Sequence, residues 1–168
     1  MSIDQLKLDV IEWVMNWVSK YNPMLDAVPC PFAKVALMDG KVDWIEVGDP
    51  YALQVLLSSL PSEGLGNELL IIGMNPSTIT PDNLSSLVKD ANVNILMPSN
   101  LVALEDHPDD KEIINGATMN QGTWALVLIQ ALDKINHASE ALKAQGYYKN
   151  WSQEAIDDVV TWRFKKEQ

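Results

Sequence analysis

Asp49-Pro50, then Leu53, Leu56, Leu57 and Leu60, then Leu69-Leu70-Ile71-Ile72: this stretch decides the fold. Aspartate before proline supplies an N-cap and a first-turn residue that needs no donor, and the leucines recur at helical spacing, so a helix opens at residue 50. Pro61 and the glycines at 64 and 66 end it. The apolar run at 69–72, closed by Asn75-Pro76-Ser77, has the length and turn boundaries of a buried central strand. A helix feeding a buried strand is the unit of a sheet covered by helices.

Toward the amino terminus, Lys34 to Met38 and Lys41 to Val47 flank Asp39-Gly40, a pair that accepts positive φ, which predicts a β-hairpin. Before it, Leu6, Val10, Trp13, Val14, Trp17 and Val18 predict an amphipathic helix, with Ser2 and Gln5 as a capping box. Asn22-Pro23 and Pro29-Cys30-Pro31 break that helix into an irregular segment.

Toward the carboxyl terminus, Thr80-Pro81-Asp82 opens a helix with Leu84, Leu87, Val88 and Ala91 inside. Leu101 to Leu104 reads as a strand, paired with Asn94 to Met97 across Pro98-Ser99-Asn100. Trp124, Leu128, Ala131, Leu132, Ile135, Ala138 and Leu142 then share one face of a long helix that Gly146 ends. A last helix starts at Ser152, stapled by Trp151 and Ile156, and runs into the charged tail Lys165-Lys166-Glu167.

No repeat or linker divides the chain, so 1–168 is treated as a single domain. The element order predicts an α+β fold: a mixed sheet with helices, arranged as a ferredoxin-like two-layer sandwich with added terminal helices. A three-layer α/β sandwich is the alternative, because a helix face does not reveal which side of a sheet it covers.

Composition narrows the function classes. Of 168 residues, 23 are acidic and 12 basic, a formal charge of -11 that repels phosphate backbones and anionic membrane surfaces, so no nucleic acid and no membrane partner is expected. No apolar run reaches the roughly 18 residues a membrane span requires. Cys30 is the only cysteine, which excludes an internal disulfide and predicts a cytoplasmic location; Met1 to Lys7 carries no export signal. The six tryptophans, at 13, 17, 44, 124, 151 and 162, are expected to anchor core and interface. GxGxxG, GxxxxGK[ST] and GxSxG are absent, which leaves nucleotide binding and serine hydrolysis without a motif.

The densest ionisable cluster is Glu105-Asp106-His107-Pro108-Asp109-Asp110-Lys111-Glu112, directly after a strand, where α/β sheets bind ligands. His107 is a candidate general base, oriented by Asp109 or Asp106. The same loop offers Glu105, His107 and Asp109 to a divalent metal ion, although its spacing matches neither HExxH nor the twelve-residue calcium loop. Cys30, held between two prolines, is a candidate nucleophile if the fold brings His107 to it, and otherwise a small packing residue.

Cys30-Pro31-Phe32-Ala33 after Trp17-Val18, then His107-Pro108-Asp109, then Asn120 before Trp124 to Leu128, resembles an uncharacterised bacterial family. Its members carry a Cys-Pro-Phe-Ala segment and a later strand ending in His-Pro-Asp. The resemblance implies one site formed by Cys30, His107, Asp109 and Asn120, and transfers no reaction. This chain departs from the pattern in Val28-Pro29 before the cysteine and in the added segment Gly146 to Trp151.

Two functions follow as expectations. The first is a noncatalytic binding or assembly protein, forming a homo-oligomer or taking an unknown small molecule or protein, with apolar helix faces and tryptophans as the interface. The alternative is a small enzyme, a hydrolase or transferase, with Cys30 as nucleophile, His107 as acid and base, Asp109 as orienter and Asn120 as donor, with or without a metal.

Overall fold

The structure, a computed structural model, describes residues 2–164; the charged tail read at 165–167 lies outside them. Helix α1 (Ile3–Trp13) continues through a π-helical turn at Val14–Val18. Helix α2 (Ala33–Met38) leads into strand β1 (Val42–Glu46), helix α3 (Pro50–Glu63) and strand β2 (Leu69–Met74). Helix α4 (Pro81–Ala91) ends in a second π turn, Asn92–Leu96, before strand β3 (Leu101–Asp106). The short strands β4 (Ile113–Ile114) and β5 (Ala117–Thr118) precede β6 (Ala125–Ala131), α5 (Leu132–Ala144) and α6 (Gln153–Val159).

The α+β class and the mixed sheet stand as read. β1 runs parallel to β2 through α3, β2 pairs antiparallel with β6, and β6 pairs antiparallel with β3, giving the order β1-β2-β6-β3. The period of two sorts the side chains. Leu70, Ile72 and Met74 of β2, with Ala125, Val127 and Ile129 of β6, pack against Leu53 and Leu57 of α3 and Leu84 and Val88 of α4. On the opposite face, Ile71, Trp124 and Leu126 meet Leu6, Val10, Val14 and Val18 of the added amino-terminal helix. Gly73 of β2 makes this approach close, since a Cβ there would collide with the buried Leu6 side chain. Asp9 of α1 accepts from the indole Nε1 of the fully buried Trp124 at 2.8 Å.

The expected caps are present. Asp49 accepts from the Ala52 amide at 2.8 Å and Thr80 from that of Asn83 at 3.3 Å. Ser2 caps α1 by accepting the Gln5 backbone amide at 3.3 Å, but the Gln5 side-chain amide donates to Asp9 instead of closing the box. Pro61 does not stop α3, because proline in the last turn removes one bond only; Gly64, at φ 73°, ends it.

Three sequence readings are corrected. Residues 33–38 are helical, so there is no hairpin at 34–47: Gly40, at φ 67°, closes α2, with its own amide on Leu37 and the Lys41 amide on Ala36. The positive φ that suits a hairpin turn equally suits this helix stop, and β1 takes β2 as its neighbour. Residues 94–97 form no strand but lie in and after the second π turn. Ala125 to Ala131 forms β6 rather than the first half of a long helix, and only residues 132–144 are helical. A strand covered on both faces carries a nearly continuous apolar run, here Ala125 to Ile129, which removes the alternation that would reveal it.

The second π turn positions Asn92, 3% exposed, against the edge strand β3. Its Nδ2 donates to the Ala103 carbonyl and its Oδ1 accepts the Ala103 amide, both at 2.8 Å. A side-chain amide thus stands where a further strand would pair. Farther along, Arg163 is buried and donates to Ser139 Oγ at 2.9 Å, tying the carboxy-terminal turn to α5. No helix among the described residues is long and apolar enough to cross a membrane.

Candidate functional site

β2 ends opposite Ala125 and β3 opposite Leu126, so the chain leaves both strands at the same end of the sheet. After β2, Asn75 folds back on itself: its Oδ1 accepts from the Ser77 amide at 3.0 Å and the Ser77 hydroxyl at 2.8 Å. That turn aims the carbonyls of Pro76 and Ile79 at the loop after β3.

His107 meets them there. It is 4% exposed, and its Nε2 lies 3.1 Å from the Ile79 carbonyl and 3.3 Å from that of Pro76. Its Nδ1 accepts the Asp109 amide at 3.1 Å. Carbonyl partners on one nitrogen and an amide on the other assign the neutral tautomer with its proton on Nε2. Both ring nitrogens are therefore committed to backbone, and His107 works as a rivet between two loops.

Asn120 is a second rivet. Its Nδ2 donates to Asp106 Oδ1 at 2.6 Å and to the Asp110 carbonyl at 2.8 Å, while its Oδ1 accepts the Glu112 amide at 2.9 Å. Asp106 also accepts the Gln121 amide at 2.8 Å. His107, Asp109 and Asn120 thus share one loop system. Cys30 does not join them. It packs in the cluster on the α1 face of the sheet, with its amide on the Val18 carbonyl at 3.0 Å, whereas Ile79 beside His107 belongs to the cluster on the other face. Tyr147 holds the segment before Cys30 by donating from its hydroxyl to the Pro29 carbonyl at 2.6 Å. Burial pushes the Cys30 thiol up, the Phe32 and Ala33 amides opposing that shift only in part.

The acidic loop has its own electrostatics. Burial raises the Asp106 carboxyl, against the Gln121 and Asn120 hydrogen bonds that favour its charged form. Glu112 is raised by burial and then by Asp106, Glu105, Asp158 and Asp110, and Glu105 by burial despite a hydrogen bond with Ser85. Among the described residues no group of three His, Cys, Asp or Glu side chains converges as metal ligands, so Glu105, His107 and Asp109 do not form one site.

The raised carboxyls carry a sign for stability. These groups hold protons more tightly in the folded than in the unfolded chain, so stability should fall as pH rises through the window above their ordinary range of about 4 to 4.5. Acidification from neutral pH to about 5.5 is expected to raise the melting temperature. The trend reverses at lower pH, where Asp26, held below its ordinary value by the Tyr21 hydroxyl and then Lys149, takes up its proton. Thermal melts across this range check it; a lower melting temperature at about pH 5.5 than at neutral pH contradicts it.

Asp109 points to a feature that sequence reading missed. A cleft of about 770 Å³ runs between α3 and α4, bounded by the turn at residues 76–81 and by Asp109. Gln54 of α3, Asn83 and Ser86 of α4 and the Asp109 carboxylate line it, with no side-chain partner among the described residues. Leu57, Leu87, Ala91 and Ile95 supply apolar surface, and among the described residues no Lys, Arg or His contributes to the lining. Its volume lies in the range of small-molecule sites. The leucine periodicity marked the buried faces of α3 and α4, but nothing local in sequence states that their flanks face each other.

No family model, curated protein or solved structure matches the chain.

Proposed function

We propose that the protein is a noncatalytic binding protein whose ligand occupies the α3–α4 cleft. The observation that carries this reading is the set of unpartnered hydrogen-bonding groups, Gln54, Asn83, Ser86 and Asp109, converging on one cleft at the loop end of the sheet. A hydrogen-bonding ligand would satisfy all four while its apolar parts rest on Leu57 and Leu87. The Cys30 and His107 pairing needed by the enzymatic alternative has no support: the thiol packs on one face, and both imidazole nitrogens are engaged on the other.

The cytoplasmic location and the homo-oligomer remain parts of this proposal, the first resting on the lone cysteine, the second on exposed Phe32, Val35 and Met38 around α2. Light scattering on the purified chain tests the oligomer; a monomer mass removes it.

The cleft is tested by backbone resonance mapping with small polar probes. Shifts confined to residues 54–58, 76–91 and 109 support the reading, and shifts that leave these residues untouched for every probe overturn it. The noncatalytic part is tested on the thiol. With burial pushing its thiol up, Cys30 presents less thiolate, so at neutral pH its alkylation by iodoacetamide should run slower than that of a free cysteine. Alkylation faster than that of free cysteine would restore Cys30 as a nucleophile.

A further inference from the structure

We infer that the cleft takes a linear aliphatic polyamine; this ligand class rests on the reading of the cleft as a binding site. Among the described residues two carboxylates line it, Asp90 and Asp109, and no cationic side chain does. The Asp109 carboxylate has no partner among the described residues, and Asp90 is met only by the neutral amide of Asn94, at 2.8 Å. A chain of net charge -11 draws cations toward this cleft and repels anions. The amino-terminal end of α4 does not reverse that preference, because Thr80 caps it and Asp82 stands in its first turn.

The two carboxylates are also well separated. Asp109 sits beside the turn that precedes α4, tied there through His107, whereas Asp90 lies on the last turn of α4. From Pro81 to Asp90 the helix rises about 13 Å. Leu57, Leu87, Ala91 and Ile95 line the cleft with them. A ligand with ammonium groups at its ends and methylenes between them matches this arrangement of charge, apolar surface and charge. At an extended reach of roughly 1.2 Å per bond the span equals about eleven bonds, and the ammonium–carboxylate hydrogen bond at each end shortens the chain needed to about eight to ten bonds between terminal nitrogens, the size of a triamine such as spermidine. Gln54, Asn83 and Ser86 remain available to internal N–H groups.

The test is titration of the whole chain with spermidine, with α,ω-diamines of increasing length, with an uncharged polyol and with tetralysine, read on backbone resonances. Spermidine is expected to shift residues 54–58, 76–91 and 109, and among the diamines affinity should rise with length until the chain spans Asp90 and Asp109. Asp109→Asn and Asp90→Asn should each weaken spermidine about three- to tenfold. Glu112→Gln, in the acidic loop outside the cleft, should leave its affinity unchanged. Equal weakening by Glu112→Gln, or no dependence on diamine length, means diffuse attraction to an acidic surface and overturns the inference. A polyol that binds in the cleft where spermidine does not overturns the polyamine and leaves the cleft reading standing. Tetralysine binding where free amines fail replaces the small molecule with a peptide and likewise overturns it. Silence of the cleft residues with every probe overturns both.

Discussion

Asn92→Ala should lower the free energy of unfolding by about 3 kcal/mol, because it leaves two buried backbone groups without partners. In the folded protein the Asn92 amide satisfies both the amide and the carbonyl of Ala103, and this pair lies where water cannot replace it. Asn92→Asp should be no milder: the carboxylate can still accept from the Ala103 amide, but it faces the Ala103 carbonyl with a second acceptor and buries a charge. Asn92→Leu fills the volume and leaves both backbone groups orphaned. Urea unfolding curves with an unchanged slope check the series. A loss below about 1 kcal/mol for all three would show that this edge of β3 does not depend on the side chain.

His107→Ala is the second large effect, with an expected loss of about 2 to 4 kcal/mol. The imidazole donates toward the Ile79 and Pro76 carbonyls and accepts the Asp109 amide, so its removal unties the turn after β2 from the loop after β3. His107→Asn should recover part of the loss, since its Oδ1 stands near the position of Nδ1 and can still accept from Asp109. The two roles proposed for this histidine differ in sign. A histidine kept for acid and base chemistry gives a variant of near-normal or raised stability, whereas a rivet gives an unstable one. Denaturant midpoints for the two variants decide between them.

What was legible in the sequence follows from how local each signal is. The caps at Asp49 and Thr80 and the apolar run at residues 69–72 state their structure within a few residues, and α3, β2 and α4 form where they predict. Asp39-Gly40 is ambiguous in principle, because a left-handed glycine closes a helix as readily as it turns a hairpin, and only the pairing of β1 with β2 resolves it. Strand β6 misleads for the opposite reason. Covered on both faces, it is apolar from Ala125 to Ile129 without alternation, and a helical spacing can be picked out of it by chance.

The site divides in the same way. His107, Asp109 and Asn120 lie close in sequence and fall in one loop system, but their roles depend on Pro76 and Ile79, which arrive from another connection. Cys30 could not be placed from sequence, because the path from α1 to α2 decides which face of the sheet it joins. The cleft was least legible of all. Gln54, Asn83 and Ser86 are ordinary solvent-side residues on their own helices and become a site only when α3 and α4 lie side by side.

The measurement that bears most directly on the central claim is a crystal structure of the chain grown with spermidine. The predicted result is the amine lying along the α3–α4 cleft with its terminal nitrogens at Asp90 and Asp109, while His107 keeps its bonds to the 76–79 turn. An empty cleft, with the Cys30 sulfur within hydrogen-bond reach of the His107 imidazole, would contradict the binding reading and return the protein to the enzymatic one.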